Sequence, residues 1–309
     1  MKVVFVAGDP KPERWTAPIR TLLPEAEVFT WDPDGPAVEA DYAIVWQPPA
    51  ALFEREKNLK AIFNLGAGVD GLMAVSALPP ELTVVRLEDA GMSVQMAEYV
   101  LHQLVEASRD MNRYREQQRQ CTWKIHRPIR RNEWPVGIMG LGQIGQRVAR
   151  TLTALDYEVN GWARGEHSLD GVTTYAGSGQ LGQFLNRTRV LVNTLPLTDA
   201  TRNLIDYPLL SQLQPGAVVI NVGRGESLVE EDLLRALDEG QVARASLDVF
   251  REEPLPADHP FWRHRGITVT PHISARTLRE STIEQITGKI RDHAAGMPIS
   301  GVVDRSRGY

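Results

Sequence analysis

The sequence predicts an α/β protein of two domains, each a doubly wound parallel sheet. Short β-branched or aromatic runs bounded by turn residues alternate with helical segments through both halves of the chain. A glycine-rich turn joins a strand to a helix near the middle, and 309 residues suffice for two cores.

The first third supplies strands at Val3 to Ala7, Glu27 to Trp31, Tyr42 to Trp46, Lys60 to Leu65 and Thr83 to Leu87. A long helix follows, with Met96, Val100, Leu104, Ser108 and Met111 on one face and Ser93 as its N-cap. The polar, Arg-rich stretch from Gln117 to Trp134 reads as an exposed loop, with Trp123 and Trp134 packed beneath it. Further strands are expected at Val136–Met139, Glu158–Trp162, Val190–Thr194, Ala217–Val222, Ala245–Val249 and Ile267–Thr270. A helix from Glu230 to Glu239 ends at Gly240, a suitable C′ residue. The last helix, Arg279 to Ala295, stops at Gly296, and its packing on the first sheet would build one domain from both chain ends. The expected division is 1–97 with 280–309 against 98–279.

Composition narrows the function classes. Hydrophobic content of 42% and charged content of 24% are ordinary for a soluble globular chain. A net charge of −5 disfavours a nucleic-acid partner. A single cysteine, Cys121, excludes an intrachain disulfide, and no Cys/His group has zinc spacing, so no metal is expected. The apolar start is too short for a signal peptide, and no run approaches membrane-spanning length. The expected location is the cytoplasm.

The chemistry starts at Val136-Gly137-Ile138-Met139 running into Gly140-Leu141-Gly142-Gln143-Ile144-Gly145. A strand, Gly-x-Gly-x-x-Gly and a helix form the dinucleotide-binding fingerprint of a Rossmann-type domain. The first glycine permits the tight turn, the second lets backbone approach a pyrophosphate, and the third lets helix and strand pack closely. The next strand ends Gly161-Trp162-Ala163-Arg164. An acidic residue there accepts from the ribose 2′-hydroxyl of NAD; Ala163 followed by Arg164 suits a 2′-phosphate instead. NADPH is therefore the expected cofactor, with weaker NADH use open because Glu166 brings negative charge nearby.

Three more segments fall just past strand ends, where open α/β sheets bind ligands. They are Asn221-Val222-Gly223-Arg224-Gly225-Glu226, the run from Leu247 through Asp248 and Glu253 to Pro256, and Thr270-Pro271-His272-Ile273-Ser274. With the glycine loop, and with Tyr42 to Pro49, Leu65 to Asp70, Arg86 to Met92 and the tail Val303 to Tyr309, they resemble the D-2-hydroxyacid dehydrogenase family, in particular its glyoxylate/hydroxypyruvate reductase branch. The likeness runs over most of the chain.

That resemblance implies a flavodoxin-like substrate domain beside the Rossmann-type one, with the active site in the interdomain cleft. It implies NADPH-dependent reduction of glyoxylate to glycolate and of hydroxypyruvate to D-glycerate. Arg224 would hold the keto acid, since guanidinium offers a planar fork of donors, and its flanking glycines would leave space for substrate and nicotinamide. His272 would protonate the carbonyl oxygen, and Glu253 would raise the histidine pKa and fix its ring. Asp248 would bind the nicotinamide carboxamide; a turn cap at a strand end accounts for it as well. Gln143, Ile144, Leu195 and Pro196 join the glycines in cofactor contact, while Ala67 and Gly68 would offer N–H groups to the substrate carboxylate. Trp46 reads as a pocket wall or as a core tryptophan. A homodimer through the cofactor domain is implied too. Two other readings stay open: a reductase for a different 2-keto acid, and a nucleotide-sensing binding protein.

Overall fold

The structure, a computed structural model, describes residues 1–306. The chain forms two compact units, one of Met1–Gly91 with the segment from Thr277 onward, the other of Met92–Arg276. The divisions fall a few residues before the predicted boundaries at 97 and 279. Of the tail motif, Arg307, Gly308 and Tyr309 lie outside the described residues.

In the first unit, strands β1 (Lys2–Val6), β2 (Glu27–Thr30), β3 (Tyr42–Val45), β4 (Ala61–Asn64) and β5 (Thr83–Val85) form one parallel sheet. Its order, β2-β1-β3-β4-β5, is the flavodoxin-like one. β3 and β4 are buried at every position, as a parallel sheet covered on both faces requires. Helices α1 (Glu13–Leu22), α2 (Ala50–Arg55) and α3 (Asp70–Met73) connect the strands. The C-terminal helix α10 (Arg279–Ala294) packs on α1 and buries Ile283, Ile286 and Ile290. This unit is thus built from both chain ends. Gly296, at φ +73°, follows α10 in the left-handed conformation that glycine adopts without penalty.

The second unit opens on α4 (Met92–Ser108), which starts before the predicted cap: Ser93 is buried in its first turn. The left-handed run Asp89, Ala90 and Gly91 breaks the chain immediately upstream. The predicted single long helix is two, because Asp110 at φ +50° separates α4 from α5 (Met111–Arg119). Residues 117–119, expected as loop, therefore close α5. No residue of α5 is buried. Trp123 is 97% exposed, which overturns its predicted packing beneath the loop. Trp134 does pack, with the Arg189 guanidinium 4.3 Å from its ring centroid.

The large sheet holds β6 (Val136–Met139), β7 (Val159–Ala163), β8 (Val172–Ala176), β9 (Val190–Asn193), β10 (Ala217–Asn221), β11 (Val242–Leu247) and β12 (Ile267–Val269). All pairings are parallel, in the order β12-β11-β10-β9-β6-β7-β8. Six of these strands reproduce the doubly wound 3-2-1-4-5-6 order, and β12 extends it. β8 was not anticipated; it is a half-exposed edge strand whose place is set by pairing with β7. Helix α6 (Gln143–Thr153) and α4 cover one face around Val100, Leu104, Val148 and Leu152. Helices α7 (Leu181–Asn186), α8 (Tyr207–Leu210) and α9 (Glu230–Asp238) cover the other around Phe184, Leu210 and Leu233.

Candidate active site

The strand order puts five loops side by side. The C-terminal ends of β12, β11, β10, β9 and β6 are neighbours in that order, so the segments after them adjoin although they span residues 140–274. Between β6 and β9 the winding reverses, the point at which doubly wound sheets bind their ligands.

The glycine loop fits a dinucleotide. Gly140 stands at φ +98°, where a side chain would be strained. A Cβ at Gly145 would lie 1.8 Å from the Gly140 carbonyl oxygen, so α6 sits against the loop only because that carbon is missing. At Gly142 nothing lies within 4 Å of a Cβ position, and this open side is where a pyrophosphate needs room. Gln143, Ile144 and Gly145 begin α6, whose first N–H groups have no intrahelical acceptor. Thr194 Oγ1 lies 3.0 Å from Met139 O and 2.9 Å from Gly140 O, tying the end of β9 to the loop. Beside it are Leu195 and Pro196, the first buried, the second half-buried. Ala163 closes β7 as a buried residue, and Arg164, Gly165 and Glu166 beyond it are exposed.

Past β10, Arg224 is half-buried and its Nη1 donates to Gly223 O at 2.8 Å. The glycines around it have a role different from the one predicted. A Cβ at Gly225 would lie 1.9 Å from the carbonyl carbon of Phe250, and one at Gly223 would lie 2.8 Å from Leu195 O. They let three backbone segments touch, which fixes the turn that carries Arg224.

Beneath this turn lies a polar knot that sequence reasoning missed. Asn193, Asn221 and Ser227 are fully buried. Asn193 Nδ2 donates to Asn221 Oδ1 at 2.9 Å and to Ser227 Oγ at 2.7 Å, and Asn193 Oδ1 accepts from Leu195 N–H at 3.1 Å. Asn221 Nδ2 and Ser227 Oγ both donate to Arg224 O, at 3.1 and 2.6 Å. Asparagines at the ends of two adjacent buried strands were the available signal.

Past β11 and β12 lie Glu253 and His272. Glu253 Oε2 is 2.8 Å from His272 Nδ1, and Glu253 Oε1 accepts from Phe250 N–H at 3.0 Å. Glu253, and not the adjacent Glu252, makes this pair. A carboxylate only accepts, so Nδ1 carries a proton and Nε2 is left for a ligand. The hydrogen bond from Glu253 raises the His272 pKa, with burial and the Arg224 charge opposing it. Burial pushes Glu253 up, but the His272 bond, the Phe250 N–H and the charges of His272 and Arg224 outweigh it, so its pKa is lowered. β12, the strand before His272, is the half-exposed edge of the sheet. His272 itself is half exposed and stands at φ +52°, a conformation rare outside glycine.

Asp248 does what the turn-cap reading requires. It is fully buried; Oδ1 accepts from Thr270 Oγ1 at 2.6 Å and from Ile273 N–H at 2.9 Å, and Oδ2 accepts from Ser274 N–H at 2.8 Å.

In the other unit, Trp46 is 44% exposed, which excludes the core-tryptophan reading. Its ring lies over Gly66, where a Cβ would come within 2.5 Å of it. The buried Asn64 donates to Gly66 O at 3.0 Å and Gly68 O at 2.8 Å, shaping the loop that presents Ala67 and Gly68.

Comparison with known proteins agrees with this geometry. Residues 101–274 match the family model described as D-isomer specific 2-hydroxyacid dehydrogenase, NAD binding domain. The chain belongs to the D-isomer-specific 2-hydroxyacid dehydrogenase family. A protein named glyoxylate/hydroxypyruvate reductase A from Serratia proteamaculans is 41% identical over 314 residues, covering 100% of both chains. Among solved structures, a D-isomer specific 2-hydroxyacid dehydrogenase from Xanthobacter autotrophicus Py2, in complex with NADPH and MES, superposes with a TM-score of 0.93. It is 36% identical, over 100% of this chain and 99% of that one. An NADPH-dependent glyoxylate/hydroxypyruvate reductase from Sinorhizobium meliloti, in complex with NADP and sulfate, gives a TM-score of 0.93 at 35% identity over 100% of both chains. The α/β fold and the dehydrogenase family read from the sequence are thereby borne out.

Proposed function

We propose that the protein reduces small 2-keto acids with NADPH, taking glyoxylate to glycolate and hydroxypyruvate to D-glycerate. The pairing of His272 with Glu253 at 2.8 Å, beside Arg224, carries this reading, and the names of the relatives support it. NADPH supplies the hydride to the keto carbon. His272 gives the Nε2 proton to the carbonyl oxygen, and Glu253, by raising the ring's pKa, favours the protonated form that can give it. Arg224 pairs with the substrate carboxylate and carbonyl through its fork of donors. The loop of Ala67 and Gly68 would offer N–H groups to a carboxylate, and Trp46 would form a wall beside that loop. Gly140, Gly142, Gln143, Ile144 and Gly145 cradle the pyrophosphate, with Leu195 and Pro196 lining the adjoining strand end. Arg164 would pair with the 2′-phosphate of such a cofactor. In this reading the unit built from both chain ends is the substrate domain and the other the cofactor domain.

The deciding experiment is absorbance at the nicotinamide band with purified protein. NADPH and NADH are each tried against glyoxylate, hydroxypyruvate and pyruvate. Fast NADPH oxidation with the first two supports the reading. Cofactor binding without turnover on any of them turns it toward a nucleotide sensor.

We also propose a homodimer through the arm of α5 and the segment after it. That arm exposes Trp123 and Ile125 (97% and 83%) beside Tyr114, more apolar surface than an isolated arm keeps in water. Sedimentation of the wild type and of Trp123→Glu tests it: a monomeric wild type removes the proposal. No helix among the described residues is long and apolar enough to cross a membrane. The proposed location is the cytoplasm.

A further inference from the structure

His272 holds a left-handed backbone conformation that only its surroundings can enforce. Its N–H donates to Asp248 O at 2.9 Å and to Thr270 O at 3.0 Å, while the next two N–H groups, of Ile273 and Ser274, donate to the Asp248 carboxylate. The turn that presents the imidazole is therefore wrapped around one buried acid.

That acid is held from a distant helix. Tyr99, on α4, has its hydroxyl 2.7 Å from Thr270 Oγ1, and Thr270 Oγ1 is 2.6 Å from Asp248 Oδ1. The directions follow from donor counting. A carboxylate only accepts, so the single Thr270 hydroxyl proton points to Asp248. Thr270 Oγ1 must then accept from Tyr99, which leaves Tyr99 as the donor that starts the chain. Burial pushes the Tyr99 hydroxyl up to about 12, so this donor keeps its proton over the working range. The chain Tyr99 to Thr270 to Asp248 cannot reverse while Asp248 is ionised.

We propose that Tyr99 and Thr270 are positioning residues for His272: their ordered hydrogen bonds fix the Asp248 carboxylate that sets the left-handed turn and with it the His272–Glu253 pair. The proposal rests on the reading of His272 as the proton donor. The charged groups facing His272 are Glu253, Arg224 and Asp248, and Tyr99 faces Asp248 with Gln103 beside it. Substrate and cofactor need not touch Tyr99 for its loss to be felt, since small displacements of a catalytic group cost rate steeply.

The test compares Tyr99→Phe, Thr270→Val and Thr270→Ser by turnover and by NMR titration of the His272 ring without ligands. Tyr99→Phe and Thr270→Val should lower kcat by roughly ten-fold or more, with the NADPH Kd within about two-fold of wild type. In both, the His272 titration should move down towards the ordinary histidine value as the Glu253 pair loosens. Thr270→Ser keeps the hydroxyl and should restore both readouts. If Tyr99→Phe fails to fold, the Val and Ser variants of Thr270 read the same chain, because Val matches Thr in shape and lacks only the hydroxyl. Variants with wild-type titration overturn the proposal, whether their rate falls or not. A shifted titration in a protein that turns over no keto acid upholds the positioning role and removes the proposed function instead.

Discussion

Replacing Glu253 with Gln isolates the charge that tunes His272. Both oxygens of Glu253 accept, one from Phe250 N–H at 3.0 Å and one from the His272 side at 2.8 Å. Gln has a single acceptor oxygen. If that oxygen stays with Phe250, the amide NH2 faces Nδ1, which can then only accept, and the neutral ring with its proton on Nε2 is favoured. The loss of charge and the new donor both lower the histidine pKa. The pair is half exposed, 48% and 38% for the two side chains, so solvent screens it. An interaction of about 1 kcal/mol is the upper range for such a pair. That is at most about a five-fold change in the protonation equilibrium. The native pKa lies above the ordinary 6.5, so the proton donor survives past that pH and is lost as pH rises through the raised value. In Glu253→Gln the loss sets in at lower pH than in the wild type. The assay is kcat/KM for glyoxylate reduction by NADPH from pH 5.5 to 9 (~0.5-unit steps suffice for a shift of this size). The descending limb should move to lower pH, lowering activity at alkaline pH by up to about five-fold while the acid plateau is largely kept. An unmoved limb refutes the tuning role of Glu253.

Three further outcomes follow from the same geometry. Gly145→Ala places a methyl where the Gly140 carbonyl oxygen is 1.8 Å away; the loop must open, and NADPH binding, followed by nicotinamide fluorescence, should fall by more than about ten-fold. Arg164→Ala removes the exposed cation after β7, so the KM for NADPH should rise about ten-fold while that for NADH stays near wild type; an unchanged NADPH-to-NADH preference rejects the assignment. Arg224→Lys keeps the charge and loses the fork, so the keto-acid KM should rise at least about ten-fold with the NADPH Kd unaltered in a binding titration.

The features legible in the sequence are those whose cause is local. Gly140, Gly142 and Gly145 could be read because a tight turn and a close helix approach restrict residue type at fixed spacing, and both restrictions are visible in the geometry. Buried parallel strands such as β6 and β10 announce themselves by continuous apolar runs. β8 escaped because an edge strand alternates weakly and depends on its partner β7. Trp123 was misplaced because a tryptophan's burial depends on what lies opposite it, and no residue of α5, the helix just before it, is buried either. Gly223 and Gly225 were read as space for a ligand; the actual neighbours, Leu195 and Phe250, lie on other strands' loops and could not be foreseen from spacing. The Asn193–Asn221–Ser227 knot is of the same kind: three common residue types whose meaning comes only from β9 and β10 being adjacent.

Strand order is what turns a scattered set of motifs into one site. Neighbouring strands in a sheet lie about 4.8 Å apart, so the loops after β6, β9, β10, β11 and β12 form a row in which each step is one strand spacing. Glycine loop, Leu195, Arg224, Asp248 and His272 occupy successive places in that row. Hydrogen bonds join neighbouring places in it: Thr194 ties the β9 loop to β6, Asn193 ties β9 to the Arg224 turn, and Asp248 ties β11 to the His272 turn. Each functional loop is thus held by the strand beside it. A substitution in one tie should be felt at the two loops it joins and much less two places along the row. Ser227→Ala removes one of the two side-chain donors to the Arg224 carbonyl and leaves the His272 turn untouched. It should raise the keto-acid KM while the pH limb set by His272 stays where it is. If the limb moves with the KM, the ties act as one rigid body and the step-by-step account is wrong.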